Sequence, residues 1–159
     1  MTRKRRMFDI ELPEGQEAAL RDLCKNGDEP GIIAINGGKA LCWCGIAPRS
    51  SYPVLQRSRV ARPIEASQAE NIWFISCLYV RVGFRRAGLT GQLIEAAVEY
   101  AYAHGASCVE ACPTEADGPS AERYVGTAAT FRACGFTEIA RRSPNRPLVR
   151  FAAPRARRG

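Results

Sequence analysis

The stretch that decides the fold is residues 71–113, which read NIWFISCLYVRVGFRRAGLTGQLIEAAVEYAYAHGASCVEACP. Asn71–Val80 is almost wholly apolar and rich in β-branched and aromatic residues, which predicts a strand buried on both faces in the middle of a sheet. From Leu89 onward the apolar residues recur at helical spacing, and Gly105 ends that pattern. Ser107–Cys112 predicts the next strand. A strand, a crossover helix and a strand in this order predict a parallel pair.

The flanking sequence adds further strands and short helices. The turn Asn36-Gly37-Gly38 tolerates positive φ and predicts a tight hairpin between strands over Gly31–Ile35 and Lys39–Ala47. Together with the parallel pair, this hairpin predicts an α/β fold. The other expected elements are helices over Glu14–Asn26, near Pro53–Arg59 and over Ala128–Cys134 with Thr127 as N-cap, and strands over Phe136–Arg141 and Leu148–Ala152.

Length and charge predict one domain with basic ends. The chain has 159 residues, and its 46% hydrophobic content is that of a globular protein with a real core. Seven terminal cations account for the whole net charge of +7: Arg3, Lys4, Arg5, Arg6, Arg155, Arg157 and Arg158. We therefore expect flexible tails over residues 1–6 and 154–159 around a domain over 7–153, and the zero balance between the tails argues against nucleic-acid binding.

The cysteine pattern predicts reduced thiols and no metal. Seven is an odd number, and a chain of this length needs no disulfides for stability. Cys42 and Cys44 form a lone C-x-C, and His104 is the only histidine, so no four-ligand spacing exists. We see no apolar leader at the amino end and no apolar run long enough to span a membrane, so we expect a cytoplasmic protein.

The turn between the central strand and its helix predicts an anion site. It reads Arg85-Arg86-Ala87-Gly88-Leu89-Thr90-Gly91. The free N–H groups of the first helical turn point into this loop with the positive end of the helix dipole behind them. Gly88 and Gly91 let the backbone approach a phosphate, and the two arginines add charge. The turn is therefore expected to bind a phosphate or a pyrophosphate, and the dinucleotide and P-loop patterns are both absent from it.

These residues resemble the signature of the GNAT superfamily of acyl-CoA-dependent N-acetyltransferases. That signature is a strand of the form L-x-V followed by R/Q-x-x-G-x-G/A at the start of a helix. Leu78 and Val80 match the strand, and Arg85, Gly88 and Thr90 match the turn. The later segments VEACP and TAATFRACGFTEIARR are similar to the following strand and helix, so the resemblance covers roughly residues 31–151.

The resemblance implies a fold and a donor site. The fold would be a single-domain mixed sheet, mostly antiparallel, with a splayed parallel pair at its centre and helices on both faces. Acetyl-CoA would be the acyl donor, with its pantetheine along the backbone of Leu78, Tyr79 and Val80. The expected donor-binding residues are therefore Leu78, Tyr79, Val80, Arg85, Arg86, Ala87, Gly88, Leu89, Thr90, Gly91 and Phe131.

The resemblance also implies a reaction. A primary amine would attack the thioester directly, with backbone N–H groups stabilising the oxyanion. No cysteine is needed as a nucleophile. The sequence departs from the family pattern at two positions: Thr90 replaces a glycine or alanine, and Phe131 stands where many members carry a proton-donating tyrosine. A non-catalytic acyl-CoA-binding module of the same fold therefore remains the alternative, and a homodimer stays open.

Two residues are candidates for proton transfer. Glu110 is the sole acid inside a predicted central strand, which suits a general base and equally suits a paired structural carboxylate. Tyr124 precedes the helix that carries Phe131, and its hydroxyl is a candidate acid, although it also suits a packing or pocket role. Glu70 is a weaker candidate base.

The long connection over Pro48–Asn71 is a candidate wall of the acceptor site. Connections of more than 12 to 15 residues or so are uncommon in compact domains unless they serve a binding site. Its Tyr52, Arg57, Arg59 and Arg62 would suit a carboxylate on the acceptor, and a solvated basic loop is the alternative. The sequence does not identify the acceptor.

Overall fold

The structure is a computed structural model that describes residues 30–64, 71–85, 88–115 and 124–152. The expected helix over Glu14–Asn26 and the two expected basic tails lie outside the described residues, as do Glu70, Arg86 and Ala87.

Six strands form one mixed sheet in the order β1-β2-β3-β4-β6-β5. Among the described strands, only β3 and β4 run parallel, and every other neighbouring pair is antiparallel, as expected. The hairpin and the parallel pair are therefore confirmed. The strands are β1 (Gly31–Asn36), β2 (Lys39–Pro48), β3 (Ile72–Val80), β4 (Cys108–Ala111), β5 (Thr137–Arg141) and β6 (Pro147–Phe151).

Two α-helices follow the parallel strands. Helix α1 spans Leu89–Ala103 and crosses from β3 to β4, burying one apolar side along its length. Helix α2 spans Ala128–Ala133, and Thr127 caps it because the N–H of Thr130 donates to the Thr127 hydroxyl at 3.3 Å. The predicted N-cap is confirmed, and the helix ends one residue earlier than expected.

Different elements cover the two faces of the sheet. One face holds the larger core, in which α1 and α2 pack on Ile75, Val109 and Val149. The other face holds a smaller cluster around Phe74 and Leu148. Two 3₁₀ helices in the connection between β2 and β3, Arg49–Ser51 and Pro53–Arg57, lie over this second face. Helices thus cover both faces, and the short helix expected near Pro53 is a 3₁₀ helix.

In the described part of the chain, no helix has the length and apolar character needed to cross a membrane.

Candidate active site

The parallel strands β3 and β4 separate halfway along β3. They pair from Ile72 with Cys108 to Ile75 with Ala111, and β4 ends there. Strand β3 continues to Val80 with β2 as its neighbour on one side. The result is a gap beside the second half of the central strand, which is the splayed pair that the resemblance implied.

A β-bulge at Ser76 marks the point of separation. Gly45 of β2 pairs with Cys77 and Ile46 pairs with Ile75, so Ser76 has no register partner. Bulges bend a strand and often lie next to active sites. Gly45 makes room for this one, because a Cβ at that position would lie 2.7 Å from the Ser76 hydroxyl oxygen. The bend therefore depends on a small residue in the neighbouring strand.

The backbone of Leu78 and Val80 faces the gap. The N–H of Arg81 donates to the Leu41 carbonyl of β2 at 2.8 Å, so alternation along the strand turns the polar groups of Val80 and Leu78 to the opposite edge. Arg85 Nε donates to the Val80 carbonyl at 3.0 Å, which ties the following turn to this edge. Backbone groups and a guanidinium thus meet at the mouth of the gap.

The N-terminus of α1 opens beside that edge. Its N-cap, Gly88, has φ 73° and ψ 8°, a left-handed conformation that glycine adopts without steric cost. No side chain in the described ranges caps the helix, so the first-turn N–H groups of Leu89, Thr90 and Gly91 point outward without a side-chain acceptor. A Cβ added at Gly88 would meet nothing within 4 Å. This geometry fits the phosphate or pyrophosphate that the sequence predicted for the turn.

Tyr124 lies on the gap, stacked on Tyr79. Their ring centroids are 6.2 Å apart at an interplanar angle of 23°, and Tyr124 is 46% exposed. The segment that carries Tyr124 is held next to the end of β4, because the Thr114 N–H donates to the Gly126 carbonyl at 3.0 Å. The structure therefore brings the candidate acid to the unpaired half of β3.

Phe131 is part of the core. It is fully buried and packs edge-on against Phe136 at 5.0 Å. A Cβ at Gly126 would lie 2.9 Å from both Phe131 Cε2 and Leu78 Cδ1, so the Tyr124 segment closes over the ring. We expected Phe131 among the donor-binding residues. The described structure gives it no surface for such a contact, because the short helix α2 uses this side chain to bury its apolar face.

Glu110 is a fully buried carboxylate held by two arginines. Arg49 Nε donates to its Oε2 at 2.6 Å, and Arg150 donates to its Oε1 from Nε at 3.0 Å and from Nη2 at 2.6 Å. Arg49 is itself fully buried, lies 4.8 Å over the Phe74 ring and donates to the Ala61 carbonyl at 2.8 Å. These contacts are those of the paired structural carboxylate, the alternative that the sequence left open. Sequence reasoning did not identify Arg49 as a partner of Glu110, because no local motif or spacing in the sequence marks it.

The connection between β2 and β3 reaches the bulge through Tyr52. The Ser76 hydroxyl donates to the Tyr52 hydroxyl at 3.2 Å, and the Tyr52 ring packs edge-on against Phe74. Burial raises the pKa of Tyr52. Arg57, Arg59 and Arg62 of the same connection are exposed.

Burial raises the pKa of five of the described thiols, and a protonated thiol is weakly nucleophilic. These are Cys42, Cys44, Cys77, Cys112 and Cys134. In the described ranges, no group of three or more His, Cys, Asp or Glu side chains is arranged to hold a metal ion.

A family model for the acetyltransferase (GNAT) family matches residues 3–136. The chain belongs to this family. The resemblance that the turn and its strand suggested is therefore confirmed. No curated protein matches the sequence.

Solved GNAT structures share the fold at low sequence identity. A putative acetyltransferase from Salmonella typhimurium, yncA, solved with its cofactor acetyl-CoA, is 12% identical with a TM-score of 0.60, and the match covers 93% of this chain and 78% of that one. A putative GNAT acetyltransferase from Desulfovibrio desulfuricans is 14% identical with a TM-score of 0.59 over 91% and 85%. The ribosomal-protein-alanine N-acetyltransferase from Brucella melitensis is 18% identical with a TM-score of 0.56 over 87% and 77%. These similarities establish the fold.

Proposed function

We propose that this protein transfers an acetyl group from acetyl-CoA to a primary amine. The observation that carries the proposal is the uncapped N-terminus of α1 beside the unpaired half of β3. One feature suits a pyrophosphate and the other suits the amide groups of a pantetheine arm. The neighbour from Salmonella typhimurium with bound acetyl-CoA supports the choice of donor.

The donor would be held mainly by backbone. The first-turn N–H groups of Leu89, Thr90 and Gly91 would bind the pyrophosphate, with Arg85 and Arg86 adding charge. The Thr90 hydroxyl would add one more hydrogen-bond donor there. The edge of β3 over Leu78–Val80 would align the pantetheine, and the exposed Arg85–Val80 hydrogen bond would give way to it.

The donor supplies an acetyl group activated as a thioester. The chain's part is to place an unprotonated amine against that group inside the gap and to stabilise the charge that develops on the carbonyl oxygen with backbone N–H groups. Direct attack leaves no step for a cysteine, which agrees with the raised pKa values of the thiols. Phe131 cannot return a proton to the departing sulfur, so we assign that role to Tyr124, whose exposed ring lies on the gap.

Glu110 would support the gap indirectly, through the strand β4 on which it lies. Both of its oxygens are engaged by guanidinium groups, and the residue has no exposed surface. We therefore assign it to the positioning of β4 next to β3. In this proposal the nitrogen loses its proton to solvent water at the open gap after the N–C bond forms, so Glu110 is not needed as a base.

Two measurements on the purified protein test the proposal. Calorimetry should detect acetyl-CoA binding. A thiol-reactive dye should report amine-dependent release of CoA across a panel of primary amines, with mass spectrometry identifying the N-acetyl product. Binding without release for every amine would support the non-catalytic module instead, and absence of binding would refute both readings.

A further inference from the structure

The arginines around strands β5 and β6 fall into two groups. Some are neutralised by carboxylates: Arg132 and Arg141 contact Glu115 and Glu138, and Arg49 and Arg150 contact Glu110. Others form no salt bridge with a carboxylate within the part of the chain that the structure describes. Among them, Arg142 lies close to Arg62, and Arg142 and Arg146 both lie near Cys112.

Backbone carbonyls orient two of these guanidinium groups. Arg142 Nη1 donates to the Arg62 carbonyl at 2.5 Å. Arg146 donates to the Cys112 carbonyl from Nη2 at 2.8 Å and from Nε at 3.3 Å. A carbonyl fixes the direction of a guanidinium without cancelling its charge. Both side chains are half-buried, so their positive charges are only partly hydrated.

The surroundings of Arg142 disfavour its positive charge. Partial burial lowers the pKa of Arg142, the nearby positive charges of Arg62 and Arg49 lower it further, and Cys112 and Glu110 oppose this in smaller measure. An anion bound between the guanidinium groups would relieve this repulsion. Arginine is well suited to that task because its planar fork matches a carboxylate in a bidentate hydrogen bond.

The group lies at the end of the gap. Cys112 directly follows β4, and β4 ends where the parallel strands separate. The turn that carries Arg142 and Arg146 is fixed there, because the Glu115 N–H donates to the Asn145 carbonyl at 3.0 Å. Arg62 follows Ala61, a member of the cluster on the sheet face that the 3₁₀ helices cover. Helix α1 covers the other face, so the cations and the proposed pyrophosphate site lie on opposite sides of the sheet.

We propose that Arg62, Arg142 and Arg146 bind a carboxylate of the acceptor, so that the preferred acceptor is an acidic primary amine such as an amino acid or an acidic peptide. The inference rests on the proposed function, because it assigns the second substrate of the same site. An acceptor anchored on this face would bring its amine to the gap from the side opposite to the donor.

Matched amines test the preference. The purified protein with saturating acetyl-CoA is assayed with β-alanine and β-alaninamide, and with aspartate α-amide and asparagine α-amide, which differ only in a carboxylate. We expect kcat/KM about tenfold or more higher for the acidic member of each pair, as one charge-assisted bidentate contact provides. Equal values for both members would overturn the proposal.

Substitutions of the arginines test whether these residues cause the preference for acidic amines. Arg142→Gln and Arg146→Gln should raise KM for the acidic amines toward the values of the amides and leave KM for acetyl-CoA unchanged. Arg132→Gln is the matched control, since it removes the same charge from an arginine that Glu115 neutralises, and it should keep the preference. If Arg146→Gln fails to fold because the Cys112 contact is lost, Arg142→Gln alone decides. A preference that survives Arg142→Gln would contradict the assignment.

A binding measurement separates this inference from the proposed activity. Ligand-observed NMR with CoA present should detect N-acetyl-β-alanine and not its amide, and Arg142→Gln should abolish the signal. If no amine is acetylated but this selective binding holds, the proposed function fails and the carboxylate site stands. If amines are acetylated and no selective binding occurs, the carboxylate site fails and the transferase stands.

Discussion

The two halves of β3 have similar sequences and opposite surroundings. Ile72–Ile75 is fully buried and pairs with β2 on one side and β4 on the other. Leu78–Val80 is nearly as apolar, yet among the described strands it pairs only with β2, and Tyr79 and Val80 are partly exposed. One strand thus serves as the centre of the core and, past the Ser76 bulge, as the wall of the candidate site. The difference comes from where the neighbouring strand ends.

The residues around the two halves of β3 also differ in their burial. Next to the paired half, Glu110 of β4 lies opposite Phe74 in the register and is held by two arginines. Beside the unpaired half lie groups with room around them, namely Tyr124 and Gly88. We therefore expect substitutions behind the paired half to reduce stability and substitutions at the unpaired half to reduce binding or turnover.

Gly88→Val should have the largest effect and act on the unpaired half alone. A branched side chain would occupy the open space where backbone and phosphate must meet, so calorimetry should detect no acetyl-CoA binding. The positive φ adds a stability cost, and Gly105→Val controls for it, because Gly105 also has a positive φ and open space but lies at the far end of α1. Equal donor affinity in wild type and Gly88→Val would show that the phosphate site lies elsewhere.

Glu110→Ala tests the paired half. Removing the carboxylate leaves Arg49 buried without its counter-charge, and the loss of one partner of a buried pair costs about 3–5 kcal/mol. Denaturant unfolding measures this loss. Glu138→Ala removes an exposed carboxylate that also contacts two arginines and should have little effect on the same curve.

Glu110→Gln separates positioning from base catalysis. A positioning residue should lose turnover equally at all pH values, whereas loss of a base should be worst at low pH, where the amine is more protonated. A loss concentrated at low pH would return the base role to Glu110.

Tyr124→Phe tests the chemistry of the unpaired half. If the hydroxyl returns a proton to the departing sulfur, turnover should fall by roughly 100-fold or more while acetyl-CoA affinity is unchanged. Tyr79→Phe is the matched control, because it removes the hydroxyl of the stacked ring. Turnover of Tyr124→Phe within about threefold of wild type, well short of general acid catalysis, would exclude the acid role.

The smallest effect concerns the exposed carboxylates near β5. Hydrogen bonds from Arg132 and Arg141 lower the pKa of Glu115 from its ordinary 4.5 to about 2. A carboxylate with a lowered pKa in the folded state contributes stability that is complete above pH 4.5 or so and disappears as the pH falls toward 2. Unfolding curves of wild type and Glu115→Gln should therefore differ slightly at pH 6 and converge near pH 2. A difference that grows toward low pH would contradict this account.

Local patterns were enough to predict the main elements. The apolar run of β3, the helical spacing of α1 and the glycines of the hairpin each act over a few residues, and all three elements appear where expected. The Gly88 turn was also predictable, because a strand that leads into a helix through glycine places free N–H groups at that point. The burial of Phe131 in the core was not predictable, because the sequence does not show which way a short helix turns its side chain.

The sequence by itself determined the order of the elements, the parallel pair and the position of the glycine turn before α1, because these follow from periodicity and chain connectivity. Only the tertiary structure decided the surroundings of Glu110, whose partners Arg49 and Arg150 lie 61 and 40 residues away along the chain. It also decided which arginines contact carboxylates and which donate to backbone carbonyls instead. Such contacts depend on which distant segments the sheet brings together, and no repeat or spacing in the sequence predicts which segments these are.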